Sequence, residues 1–228
     1  MGDVHWYSFD GLRTDFQGHC SYQLAALCDP SEHNQWTPFF NLNVRQSKRA
    51  DFNHRPYVTY VHGWTMLWKP PSQNYIVKIH FDRDLNNGLD PVYGTYSPFV
   101  QTIDDGGNEL TPKVMLKSPY WHEDYEIKTG GHFANVIWFG IDTEAKSLDQ
   151  NSHFQIKVWW DRNYKLFIDL EQSYKNKVCG ILGNFNDDQS DEWLVLENKS
   201  ISALGHITGD LRMYDDLENN ICMTMFLN

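Results

Sequence analysis

Short runs in which apolar and polar residues alternate recur along the chain, separated by Gly, Pro, Asn and Asp. A period of two is that of a strand with one face buried, and the punctuating residues are those that turns require. The pattern predicts strands over Tyr57 to Trp68, Tyr75 to Phe81, Val114 to Leu116, His132 to Gly140, Phe154 to Trp160 and Lys165 to Leu170. In the fifth of these, Phe154, Ile156, Val158 and Trp160 fall on one side and Gln155, Lys157 and Trp159 on the other, as in a half-buried antiparallel strand. Asp161-Arg162-Asn163 then reads as the turn of a hairpin, because Asp and Asn tolerate turn geometry that the flanking apolar residues do not. Helical periodicity is confined to short pieces near Asp187 to Leu194 and Asp210 to Glu218. The expected fold is all-β, a large antiparallel sandwich or flattened barrel with short helices near the C-terminus. The Asp82 to Pro98 segment is expected to lie across it as a loop.

Composition narrows the function classes. The chain has 228 residues, enough for one large core, and no low-complexity stretch, long linker or internal repeat divides it. Its apolar runs, such as Val136 to Gly140, fall far short of the roughly 20 residues a membrane-spanning helix needs. With 30 acidic against 19 basic residues the formal net charge is −11, which repels a phosphate backbone. The best basic stripe, Arg45, Lys48, Arg49 and Arg55, is interrupted by Asp51. Nucleic acid is therefore not an expected partner, whereas a cation is. Met1 to His5 lacks a charged stretch followed by an apolar one, so the sequence reads as a mature segment or an excerpt.

Four cysteines, Cys20, Cys28, Cys179 and Cys222, are spaced by 8, 151 and 43 residues, and none of those spacings is that of a zinc knuckle. An even set at long separations fits disulfides formed in an oxidising compartment, with reduced core cysteines as the alternative. The chain has no GxSxG, HExxH, P-loop or GxGxxG motif, so its enzymatic signals are thin. Aromatic residues make up 15% of it, and Trp64, Trp68, Trp138, Trp159 and Trp160 admit two readings. They fill a sandwich core, or some of them line a pocket for an apolar ligand such as a lipid, carotenoid or luciferin.

The densest chemical signal is the run Gly183-Asn184-Phe185-Asn186-Asp187-Asp188-Gln189-Ser190-Asp191-Glu192-Trp193. Asn184, Asn186 and Asp188 alternate, so a loop curling round a point aims every second oxygen inward, and Asp191 and Glu192 close the shell. Hard oxygen donors in that number suit calcium, which takes six to eight of them at about 2.3–2.6 Å. Read alone, the run is equally a solvated acidic turn.

A second stretch changes the weighting. Gly2-Asp3-Val4-His5-Trp6-Tyr7-Ser8-Phe9-Asp10-Gly11, followed by Phe16-Gln17-Gly18-His19-Cys20-Ser21-Tyr22-Gln23-Leu24-Ala25 and Cys28, closely resembles the opening of the von Willebrand factor type D domain. In that family a GDPHYxTFDG stretch precedes FQGxCxYxLA. The family's closing signature, CGLCGNxNGDxxDDF, is similar to Cys179-Gly180-Ile181-Leu182-Gly183-Asn184 and the acidic run that follows. Val158-Trp159-Trp160-Asp161 resembles the VxWDG hairpin just upstream.

The resemblance implies one type D-like domain over residues 1–228, with a core over 2–195 and an extension over 196–228 tied back by Cys222. It implies a structural calcium ion held by the side chains of Asp10, Asn184, Asn186, Asp191 and Glu192 and the backbone carbonyl of Asp188. It implies the disulfides Cys20–Cys222 and Cys28–Cys179. A further family cysteine is replaced by Leu182, and its partner ahead of the GDPH stretch is missing as well. The expected function is a secreted, non-catalytic, calcium-stabilised module that contacts other extracellular proteins or other domains of a parent chain. An apolar-ligand or pigment binder, with luciferase-like activity as one form, is the alternative. Asn198-Lys199-Ser200 is a glycosylation sequon, with Asn198 as the acceptor.

Overall fold

The computed structural model describes residues 5–15, 21–32, 34, 37–48, 59–70, 73–82, 99–115, 120–121, 126–130, 136–140, 154–160, 166–192, 215–216 and 221–222. These residues form an all-β, antiparallel architecture, and no α-helix occurs among them. The chain divides into two compact units, the first Met1–Asp29, Asn41–Trp64 and Lys175–Asn228, the second Pro30–Phe40 and Thr65–Tyr174.

The first unit opens with a hairpin of β1 (His5–Tyr7) and β2 (Arg13–Asp15), in which Trp6 stands opposite Thr14. Its turn is tight. Ser8 donates its backbone N–H to Leu12 O at 2.9 Å, and Leu12 donates in return to Ser8 Oγ at 2.9 Å. Gly11 at φ 86° completes the reversal, a value that costs glycine little. β3 (Ser21–Leu27) pairs with β4 (Phe40–Lys48) through a register shift between Gln23 and Ala25. Leu42 and Val44 are buried on β4 while Asn41, Asn43 and Arg45 between them are not, as period two demands. On β3 the four residues Leu24 to Leu27 are all buried, so that end of the strand is covered on both faces.

The second unit contains β6 (Ile76–Asp82), β7 (Phe99–Ile103) and β8 (Val114–Met115), paired in that order. It also contains a five-stranded sheet built from β9 (Tyr120–Trp121), β10 (Glu126–Gly130), β11 (Val136–Gly140), β12 (Phe154–Trp160) and β13 (Leu166–Leu170), ordered β13-β12-β11-β10-β9. The hairpin expected from alternation is β12–β13, with Trp160 opposite Leu166 and Ile156 opposite Leu170. Ile156 and Val158 are fully buried and Lys157 between them is not. Tyr174, at the end of a 3₁₀ turn over Gln172–Tyr174, is buried, donates its hydroxyl to Pro38 O at 2.9 Å, and meets the Phe40 ring edge-on at 5.2 Å.

β5 (Thr59–Trp68) is cut by the division between the units, at Trp64. With β14 (Val178–Cys179) the strand order is β14-β3-β4-β5 in the first unit and β5-β6-β7-β8 in the second. A short hairpin of β15 (Asp215–Asp216) and β16 (Ile221–Cys222) completes the described strands. The helical pieces expected near the C-terminus are not found among the described residues. Residues 187–192 are turns and bends, held by Asp188 Oδ1 accepting from the Ser190 backbone N–H and hydroxyl, and residues 215–216 are strand. Asp side chains that bond their own backbone favour turns over helix.

Candidate metal site

The loop after β14 begins as a continuation of sheet pairing. Val178 and Cys179 stand opposite Leu27 and Ala26 on β3, and Ile181 and Leu182 then donate their N–H groups to Gln23 O and Leu24 O. Phe9 donates to Leu182 O at 2.9 Å, which brings the first hairpin onto the same segment. A disulfide joins Cys28 to Cys179, with Cα atoms 5.4 Å apart. Gly180, at φ 134°, has no room for a side chain because a Cβ would strike the Leu24 carbonyl.

Beyond Gly183 the backbone takes unusual turns, with Phe185 at φ 54° and Asp187 at φ 69°. Bulky residues avoid this region, so something must hold them. The Phe185 ring meets Phe9 in a tilted contact with centroids 5.3 Å apart, Asn176 donates its N–H to Phe185 O, and Lys175 forms an ion pair with Asp187. The consequence is that two successive amides face the first hairpin. Asn186 N–H donates to Asp10 Oδ2 at 2.9 Å and Asp187 N–H to Asp10 Oδ1 at 2.8 Å, a nest of the kind that backbone amides form round anions. Gln189 Nε2 adds a third link, to Asp10 O at 2.7 Å.

The remaining expected ligands lie on the same loop. Asn186 Nδ2 donates to Asp191 Oδ2 at 2.7 Å, and the Asn184 N–H donates to Glu192 Oε2 at 3.0 Å. Asn184 and Glu192 are buried, the latter 1% exposed. The Ser8 hydroxyl and the Asp10 backbone N–H lie on the side of the hairpin that favours the ionised Glu192 carboxylate. Burial raises its pKa above the ordinary value, and the negative charge of Asp10 adds to that, against the hydrogen bonds that favour ionisation.

Three buried oxygens of this set have no hydrogen-bond partner: Asn184 Oδ1, Asp191 Oδ1 and Glu192 Oε1. All three can only accept while the carboxylates are ionised. A buried acceptor without a donor costs about 1–3 kcal/mol, and more when charged. Three such oxygens on one loop match the chemistry of a hard cation, whose ligands are carboxylate and amide oxygens. Among the described residues no group of three or more His, Cys, Asp or Glu side chains stands together as a metal site, so an ion here would depend on amide and carbonyl oxygens as well. Asp188 lies in the turn, its own carboxylate held below the ordinary range by the Ser190 hydrogen bonds.

Two residues outside the sequence-derived set take part. Ser8, 9% exposed, favours the ionised form of Glu192, and Gly183, at φ 84°, leaves the space that the Glu192 carboxylate fills. A Cβ at Gly183 would overlap that carboxylate. No local pattern marks Ser8, because its partner is distant in the chain. Gly183 carries a signal in the family stretch itself, the glycine ahead of Asn184.

The other sequence-derived residues separate from this loop. Trp64 and Trp68, on β5, are 2% and 0% exposed, and both belong to the core. Trp138 stands opposite Lys157, Trp159 opposite Val136 and Phe167, and Trp160 opposite Leu166, but their side chains lie outside the described residues. So do Cys20, the side chain of Cys222 and Asn198, and with them the Cys20–Cys222 pairing and the sequon.

Residues 100–199 match the profile of the von Willebrand factor type D domain. Over most of its length it is similar to human zonadhesin, 22% identical over 196 residues that cover 86% of this chain and 5% of that protein. It is similar also to the human IgGFc-binding protein, 26% identical over 192 residues, 82% of this chain and 3% of that one. Chicken alpha-tectorin is 22% identical over 204 residues, 90% of this chain and 7% of the relative. The chain thus spans less than a tenth of the length of these curated relatives. No helix among the described residues is long and apolar enough to cross a membrane.

Proposed function

We propose that the chain is an extracellular, non-catalytic structural and interaction module whose fold is stabilised by a calcium ion. The observation that carries the calcium reading is the trio of buried, donor-less oxygens on Asn184, Asp191 and Glu192. In this reading those three groups hold the ion, joined by Asp10, the Asn186 side chain and the Asp188 carbonyl. The ion supplies positive charge to a site where the charge of Asp10 bears on the buried Glu192 carboxylate. It fastens the first hairpin to the loop after β14, a structural cross-link.

The Cys28–Cys179 disulfide supports an oxidising, extracellular setting. Relatives many times longer than this chain, mucin-5B among them, support partners that are other domains of a long parent chain or other extracellular proteins. Melting the protein with excess calcium and with a chelator tests the reading. A chelator-induced fall in the melting temperature is expected, and identical melts under the two conditions would refute it.

A further inference from the structure

Two residues of the loop after β14, Phe185 and Asp187, have left-handed backbone, at φ 54° and 69°. Both are held from one short segment that follows the 3₁₀ turn over Gln172–Tyr174. Asn176 donates its N–H to Phe185 O at 3.0 Å, and the Lys175 ammonium pairs with the Asp187 carboxylate. Asn186 lies between the two held positions, and the Asn186 and Asp187 amides are the ones that reach the Asp10 carboxylate, at 2.9 and 2.8 Å. Each Asp10 oxygen accepts one of them, which fixes the carboxylate and uses two of its roughly four lone-pair sites, leaving the others for an ion. In the CGLCGNxNGDxxDDF stretch that this run resembles, the position of Asp187 is a glycine, the residue that takes such backbone at little cost. An aspartate lacks that freedom, and here it has an ion-pair partner.

From this geometry we infer that Lys175 is a positioning residue for the cation site: its ion pair with Asp187 holds the left-handed turn whose amides orient Asp10. The inference rests on the calcium reading above. The Asp187 side chain is 70% exposed and that of Lys175 33%, so the pair has the strength of a solvent-exposed one. Its loss corresponds to roughly a two- to fivefold change in a binding constant. Two effects of Lys175 oppose one another. By holding the turn it strengthens cation binding, whereas its positive charge, taken alone, weakens it.

Calcium titration of the full chain by calorimetry separates them. Lys175→Met keeps the aliphatic stem and removes the charge, and it is expected to weaken calcium binding roughly two- to fivefold, while Lys175→Arg retains it. In an Asp187→Gly background, where glycine takes the turn unaided, Lys175→Met should leave the affinity unchanged or raise it slightly. The same change in both backgrounds would overturn the inference, as would unchanged or tighter binding in Lys175→Met alone. Equal losses in Lys175→Met and Lys175→Arg would assign Lys175 to packing and overturn it too. Absence of any calcium heat in the wild-type chain would sink the calcium reading itself, and this inference with it, before a variant is made.

Discussion

Asn186 donates its backbone amide to the carboxylate of Asp10 at 2.9 Å, across a separation of 176 residues. The bond links a three-residue strand pair at one end of the described chain to an acidic loop near the other. Beside the Phe9–Phe185 ring contact the join is made by polar groups, and that part of it is sensitive to anything that changes their charge.

Chelating calcium from the wild-type protein should lower its melting temperature by roughly 5–10 °C when calcium had been present at about a hundredfold over Kd, the equivalent of about 2.7 kcal/mol. Asp191→Asn and Glu192→Gln should each reduce that difference. Differential scanning fluorimetry with and without chelator measures it.

Gly183→Ala places a methyl group where the Glu192 carboxylate sits, on a backbone at φ 84° that alanine disfavours. A loss of about 1–3 kcal/mol is expected, and the calcium dependence of melting should vanish with it. Urea denaturation at fixed calcium provides the first number and the chelator comparison the second.

Tyr174→Phe removes a buried hydroxyl and leaves Pro38 O without its donor, at an expected cost of about 1–3 kcal/mol. The same hydroxyl sets an alkaline limit. Burial raises the phenol well above its ordinary value of 10.0, and the charge of Glu171 raises it further. Below that value both folded and unfolded chains keep the proton. Above it only the unfolded chain gives it up freely, so stability is complete below about pH 10 and falls as the pH rises. Phenolate absorbance and circular dichroism followed together should reveal one tyrosine that ionises only as the fold is lost.

Trp68→Ala and Trp64→Ala should each cost about 3–5 kcal/mol, because both rings are wholly inside the core. An apolar probe such as a carotenoid should leave their fluorescence unchanged in the folded protein. Saturable quenching that either substitution removes would contradict their placement as core residues.

The β12–β13 hairpin was legible because its strands alternate cleanly and face a core on one side. β3 was not, since Leu24 to Leu27 are buried in succession and the period of two disappears where both faces are covered. β7 is obscured in the same way, with four of its five residues, Val100 to Ile103, buried in a row. On β4 the alternating residues are present, but Asn41 and Asn43 occupy the outward positions and resemble turn residues. At the candidate site the oxygen donors could be read from spacing, because Asn184, Asn186 and Asp188 recur at every second residue. Ser8 could not, since its role exists only once the first hairpin meets a loop that lies some 180 residues later in the chain.

The disulfide between Cys28 and Cys179 has a mechanical meaning as well as a structural one. It closes a loop of 151 residues, which at roughly 3.4 Å per extended residue is about 500 Å of contour length. Tension applied through the chain on either side of the loop passes directly across the sulfur bridge and leaves the enclosed strands unloaded. Within a long protein under shear, a segment with this arrangement bears force as a short rigid link, and only reduction of the bridge would release the slack stored inside it.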